Sequence, residues 1–402
     1  MKSNYRKLGE YIREVNKRNK DLHVSLLLGV SISKEFIPSI ANTVGTDFSN
    51  YKIVEKGQFA YGPVTSRNGD KISIALLKED KCIISSSYMV FEIIDKSVLL
   101  PEYLMMWFRR PEFDRYARFK SEGSVREIFS WSEMCNIELP VPDIEKQRKI
   151  VEQYNQINKA IQIKEAINNN LEQQAENIFR AWFVDYKLSN GVKPANWETV
   201  NLDEVCIVGA GGDRPDDYSD IKTPEFNIPI YSNGMENEGL YGYTKKAKIT
   251  KESVTISARG TIGYTCLRLQ PFVPIVRLIT LTPKNEKITA KYLYFAIKYL
   301  NIAGFGTTQQ QITVPYCKTK SITIPNIELV NKFSFLTNSI FDNISINKNE
   351  IEKLVDLKNT LLPKLMLENS DSSTAKLSFI CVLNRKILTY YIIQLQTYFI
   401  KV

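Results

Sequence analysis

The 402-residue chain contains a single histidine, His23. One imidazole cannot supply a His-rich metal site, and its isolation argues against Ser-His-Asp and Cys-His triads. Lying in the apolar run HVSLLLG, it reads as a structural residue. The six cysteines, Cys82, Cys135, Cys206, Cys266, Cys317 and Cys381, are far apart and form no CxxC pair. They are neither a zinc set nor a disulfide framework, and read as buried thiols of a cytoplasmic chain. A GxxxxGK[ST] phosphate loop is missing. GAGG at 209–212 lacks GxGxxG spacing and runs into DRPDDY, where Pro215 discourages a helix start, so it reads as a loop. No [DN]PP[YF] tetrapeptide of an amino-methyltransferase occurs. No run of about 18 apolar residues exists, and the charged start MKSNYRKLGEYIREVNKRNKDL is not a signal peptide, so no membrane partner is expected. That start has a helical pattern. These absences leave a chain with no visible catalytic constellation and no cofactor of its own.

What is present is globular in composition, with 44% hydrophobic and 24% charged residues and a net charge of +9. The basic excess suggests an anionic partner. It falls on two regions of mixed composition, while two long helical segments are close to neutral.

Those regions form an internal repeat. Residues 138–183 begin ELPVPDIEKQRKIV and residues 323–366 begin TIPNIELVNKFSF. Each opens on a strand-like apolar run ending in Pro, then continues as a long segment with apolar residues at helical spacing. At a constant offset, Ile150, Ile157, Ile161, Lys164, Leu171 and Ile178 match positions in a second series containing Ile340, Ile344, Asn347, Ile351, Leu354 and Leu361. Alternating steps of 4 and 3 make this a heptad seam. Lys164 and Asn347 are polar at the same matched position, as a register-fixing layer would be. Each helix is predicted at about 38 residues, or roughly 57 Å. Upstream, PEYLMMWF (101–108) and GSVREIFSW (123–131) match AKYLYFAI (290–297) and GTTQQQITV (306–314) in order.

The expected fold class is α+β: two pseudo-symmetric mixed α/β globules separated by two long antiparallel coiled-coil helices. The expected boundaries are 1–142 for the first globule, 143–185 for the first helix, 186–325 for the second globule and 326–367 for the second helix. Residues 368–402 form a tail of uncertain role, apolar but carrying Arg385 and Lys386. A pseudo-two-fold axis is expected near Lys164 and Asn347.

Candidate DNA contacts are polar residues in turns of the globules, since Arg and Gln pair bidentately with guanine and adenine edges. In the first globule they are Arg67, Ser124 and Arg126. In the second they are Arg214, Lys245, Lys246, Lys248, Arg259, Thr307, Thr308, Gln309 and Gln310. The basic run Arg109, Arg110, Arg115, Arg118 and Lys120 has helical spacing and reads as a solvated face.

The doubled arrangement, with LPVPDIEKQRKIV, NWETVNLDEVC, GTIG at 260–263 and GTTQ at 306–309, resembles the specificity subunits of type I restriction–modification systems, HsdS. The resemblance spans roughly residues 1–367. It implies that the globules are target-recognition domains, each reading half of a split site on double-stranded DNA. The helices would act as spacer and docking surface for two methyltransferase subunits, which bind S-adenosylmethionine and methylate adenine. Restriction–translocase subunits can join them. The chain itself would be non-catalytic. The second helix departs from the pattern, with IELVNK where the first has IEKQRK. The alternative is a protein–protein scaffold whose basic charge is incidental.

Overall fold

The computed structural model describes residues 5–39, 45–66, 68–122, 127–300, 302 and 311–367, with side chains as far as residue 360. The chain divides into two compact units, Met1–Ile161 with Glu352–Val402, and Gln162–Ile351. Both long helices cross the division.

Six strands recur in the two units. Unit one has β1 (Tyr5–Lys7), β2 (Ile12–Val15), β3 (Phe59–Tyr61), β4 (Ile74–Leu76), β5 (Met89–Ile93) and β6 (Glu138–Pro140). Unit two has β7 (Glu198–Asn201), β8 (Cys206–Ala210), β9 (Ser253–Ile256), β10 (Thr265–Arg268), β11 (Ile279–Pro283) and β12 (Ser321–Ile324). The four-stranded sheet runs β2-β5-β3-β4 in unit one and β8-β11-β9-β10 in unit two, antiparallel throughout. A two-stranded ladder joins β1 to β6 and, equivalently, β7 to β12. Each unit adds its own strands. In unit two these form a second sheet of Tyr218–Ser219, Leu240–Thr244, Ile228–Tyr231 and Val273–Pro274.

The duplication extends to single hydrogen bonds. Leu8 N donates to Ile137 O at 2.8 Å, and Leu202 N to Lys320 O at 2.8 Å. The Tyr103 hydroxyl donates to Pro140 O at 3.1 Å, and the Tyr292 hydroxyl to Thr323 O at 2.6 Å. These tyrosines lie on the matched helices Pro101–Phe108 and Ala290–Leu300.

The start of the chain corrects the helical reading of its charged residues. It forms β1, a 3-10 turn at Leu8–Glu10, and β2. The cause is tertiary: β1 and β2 find partners in β6 and β5, far along the chain, and that pairing overrides local propensity.

The long helices are Ile144–Phe179 and Ile327–Leu367. Matched caps start them. Asp143 Oδ1 accepts from Lys146 N at 2.9 Å, and Asn326 Oδ1 accepts from Leu329 N at 2.8 Å. The first ends in a π turn at Arg180–Val184, followed by left-handed residues at Tyr186 and Asn190. Within unit two the helices run antiparallel, because Lys164 meets Asn347 and Glu350 while Asn168 meets Asn347. Lys164 and Asn347 are repeat-related and touch each other.

Ile150, Ile157, Ile161, Lys164, Ile344 and Leu354 are buried, and Leu171, Ile178, Ile340, Asn347 and Ile351 are half-buried. The Leu361 side chain lies outside the described residues. At their ends the helices leave the seam and complete the globular cores. Ile150 joins an aromatic core with Phe59, Phe91, Phe108 and Phe129. Ala175, Phe179, Phe183 and Phe333 join the core of unit two with Tyr292 and Phe295. Burying each such ring contributes about 1.5–3 kcal/mol, which fixes each globule on its helix stems.

Of the five cysteines in described segments, Cys82, Cys206, Cys266 and Cys317 are buried and Cys135 is partly so. Burial pushes the Cys82 and Cys206 thiols up to about 12, which leaves them protonated and unreactive. His23 is exposed, so it is not a core residue of its apolar stretch.

Candidate nucleic-acid interface

The basic run of the first globule is used internally. Helix Pro111–Phe119 carries much of it. Arg109 pairs with Glu35, Arg115 with Glu112, Arg118 with Glu127 and Lys120 with Glu133. Arg110 is buried and stacks on Trp107 at 4.2 Å. Each of these cations is paired or stacked, with Arg115 and Arg118 still exposed at the surface as the solvated-face reading expects.

In unit two a different set of loops converges beyond one end of the sheet. The turn Ser257–Gly263 links β9 to β10, closed by Ser257 N to Tyr264 O at 2.9 Å and Gly263 N to Ser257 O at 3.0 Å. Gly263 has φ +83°, and a Cβ there would lie 2.8 Å from Ile302 O, so any side chain is excluded twice over. Asn233 is the hub. Its Oδ1 accepts from Ala258 N at 2.7 Å while its Nδ2 donates to Val276 O at 2.7 Å. Val276 N and Arg277 N in turn donate to Gly212 O and Gly211 O at 2.9 and 3.0 Å. Ile312 N donates to Ala258 O at 3.0 Å and brings in a further segment.

Val276 and Arg277 both hold positive φ, 50° and 59°. L-residues adopt this conformation only where the surroundings over-determine it, and such strain clusters at functional sites. The hydrogen bonds to Gly211 and Gly212 supply the constraint here.

These loops expose cations. Arg214, Lys246, Lys248, Arg259 and Arg277 are all exposed. The Arg214 guanidinium stacks 3.9 Å from the Tyr218 ring and donates to the Tyr241 hydroxyl at 3.2 Å, so its fork is held in one plane. Arg259 Nη2 donates to Gln311 Oε1 at 3.1 Å. Lys245 differs: it pairs with Asp217 at 3.1 Å and Glu225 at 2.7 Å, which neutralise it. The structure therefore brings Arg214 and Arg259 onto one set of bonded loops with Lys248 Nζ beside Gly212, leaves Lys246 exposed, and ties Lys245 to acids. Arg67, Ser124, Arg126, Thr307, Thr308, Gln309 and Gln310 lie outside the described residues. Arg277 and the Asn233 hub were not among the sequence candidates. Arg277 carries no sequence signal, because its positive φ is imposed by distant glycine carbonyls.

Unit one repeats the junction. Gly62 N donates to Ser73 O at 2.9 Å, as Ser257 does to Tyr264, and Phe129 N donates to Pro63 O at 2.8 Å, as Ile312 does to Ala258. Thr65 N adds a bond to Glu127 O at 2.9 Å.

Two ties fix the second globule to its helices. Lys298 pairs with Glu172 and Glu176 at 3.1 and 3.0 Å. Glu238 pairs with Lys348 at 2.5 Å and with the buried Arg268 at 3.3 Å, whose guanidinium stacks on Tyr231 at 3.6 Å.

Among the described residues no group of His, Cys, Asp and Glu could hold a metal ion, and no helix is long and apolar enough to cross a membrane.

A strand-to-loop junction built twice, each copy followed by a long helix, defines a duplicated scaffold. The chain belongs to the type I restriction modification DNA specificity domain family, whose model matches residues 14–173 and again 194–355. It is a type I specificity subunit with two target-recognition domains. The MjaIX specificity subunit of Methanocaldococcus jannaschii is 26% identical over 302 residues, 68% of this chain and 70% of that protein. The HindI specificity subunit of Haemophilus influenzae is 21% identical over 402 residues, 78% of this chain and 87% of the relative. The crystal structure of the S subunit of a type I restriction–modification system from M. genitalium shares the fold, with a TM-score of 0.53 at 14% identity over 91% of this chain and 96% of that one.

Proposed function

We propose that this chain reads a bipartite site on double-stranded DNA, one half through each globule, and carries no catalytic centre. The observation that supports it most directly is the repeated junction, in which the same backbone bonds present loops at the same place on both sheets. A duplicated reader on a helical spacer suits two half-sites at a set separation. Arg214, Lys246, Lys248 and Arg277, exposed on unit two, supply phosphate contacts, and loop side chains such as Arg259 read base edges.

The long helices dock two methyltransferase subunits, and restriction–translocase subunits join that complex. Phe335 and Leu336 on the second helix, 77% and 43% exposed, suit a partner surface rather than water. S-adenosylmethionine belongs to the methyltransferase partner, which modifies adenine.

The test is domain replacement. Residues 186–325 are exchanged for the corresponding domain of another specificity subunit, and methylated adenines are mapped after co-expression with the methyltransferase. One half-site changes and the other stays. A change in both halves, or in neither, refutes the modular reading. A scaffold without DNA function would show no split motif and no steep fall of binding with salt.

A further inference from the structure

The two units share one loop–strand junction but arm it with different side chains. In unit two, β9 continues through Ala258, whose carbonyl accepts from Ile312 N, into Arg259, whose Nη2 bonds Gln311 Oε1 at 3.1 Å. In unit one, β3 continues through Pro63, whose carbonyl accepts from Phe129 N, into Val64, which bridges antiparallel to Ile128. The matching bonds superimpose the topology: Val64 stands where Arg259 stands, and Ile128 where Gln311 stands. Arg259 is exposed and Ile128 is 45% exposed, while Val64 and Gln311 are half-buried beside them.

Two features make this pair more than surface variation. Ile128 keeps its methyls at the surface beside its bridge to Val64, where an apolar group can reach them. Across the repeat, the pair of side chains changes together from two aliphatic groups to two hydrogen-bonding groups, while the backbone bonds beneath are kept.

We infer that this pair is the base-discriminating position of each target-recognition domain. In unit two, Gln311 holds the Arg259 fork. One of its five N–H donors is spent on Gln311, and the rest suffice for a bidentate contact to O6 and N7 of guanine in the major groove. In unit one, Val64 and Ile128 present methyls to the C5-methyl of thymine. The two half-sites therefore differ in kind at this position, a G·C pair in one and an A·T pair in the other. The inference rests on the DNA-reading function proposed above.

The experiment uses the full chain co-purified with its methyltransferase subunits and a randomised duplex library, followed by affinity measurements on the selected site. Arg259→Lys keeps the charge and loses the fork. It is expected to reduce discrimination at one G·C position of one half-site by roughly 10–100-fold, with non-specific binding unchanged. Arg259→Val with Gln311→Ile shifts that same position toward A·T. Ile128→Gln relaxes an A·T position in the other half-site only. Arg259 and Ile128 are exposed, and an unchanged melting temperature with intact co-purification shows that the variants fold.

Retained preference in Arg259→Lys overturns the inference. A uniform loss of affinity over all sequences also overturns it, by making Arg259 a phosphate contact. If the unmodified complex selects no split motif, the DNA-reading function itself fails, a result distinct from either.

Discussion

The polar layer between the long helices makes an energetic prediction with an unusual ordering. Lys164 is 6% exposed, pairs with Glu350 and bonds Asn347 Oδ1 at 3.4 Å, while Asn347 Nδ2 donates to Asn168 Oδ1 at 2.9 Å. Removing the carboxylate by Glu350→Ala leaves an ammonium in the seam with one amide oxygen for company. Breaking one side of a fully buried pair costs about 3–5 kcal/mol, and an exposed pair contributes about 0–1 kcal/mol. The Glu350 side chain is 47% exposed, so water already shares this pair and the cost falls between, about 2 kcal/mol. Lys164→Met removes the charge but keeps the apolar stem. Glu350 then turns to water and Asn347 retains Asn168, so the change is close to neutral, within about 1 kcal/mol. Conservative loss of the cation is thus milder than loss of its partner, and Lys164→Met in the Glu350→Ala background restores the lost stability. Hydrogen exchange of the helix amides flanking Lys164 and Glu350 reads local opening free energies without assuming two-state unfolding of a two-unit chain. If Lys164→Met is as costly as Glu350→Ala, or fails to rescue it, the desolvation argument is wrong.

Two further substitutions probe the frame of the globules. Tyr103→Phe and Tyr292→Phe each delete one hydroxyl bond to the strand that feeds a long helix, to Pro140 O and Thr323 O. Each should destabilise its own unit by about 1–2 kcal/mol and leave exchange protection in the other unchanged. Gln147 is fully buried and spans three backbone groups: its Nε2 donates to Val98 O and Pro142 O at 2.8 Å, and its Oε1 accepts from Leu100 N at 2.9 Å. Gln147→Ala strands all three and should cost about 3 kcal/mol in unit one, measured as lowered protection of the Pro101–Phe108 helix. In unit two the matched position is the buried Val330, and the corresponding helix is capped by Thr289 Oγ1, which accepts from Tyr292 N at 3.2 Å. Val330→Ala there should cost only a methyl-deletion penalty of about 1–2 kcal/mol.

Much of this architecture is local enough to read along the chain. Asp143 and Asn326 cap helices because a short acceptor reaches a free amide three residues on, and both residues were part of the matched openings. The seam, its polar layer and the antiparallel pairing of the helices follow from spacing and from a repeat-related polar pair. Tertiary structure decided the rest, for a common physical reason: the partners are distant in sequence. The first residues became strands because β6 and β5 wait far downstream. Phe179 and Phe183, which lie off the predicted seam, are buried because the second globule offers them an aromatic core. Arg109, Arg118 and Lys120 of the basic run met acids outside their own helix, whereas Arg259 and Arg277 were set on loops joined through the Asn233 side chain. The scarcity of histidine and paired cysteine set the expectation that His- and Cys-based chemistry lies elsewhere; which of the chain's many cations face outward depended on backbone bonds that no local pattern encodes.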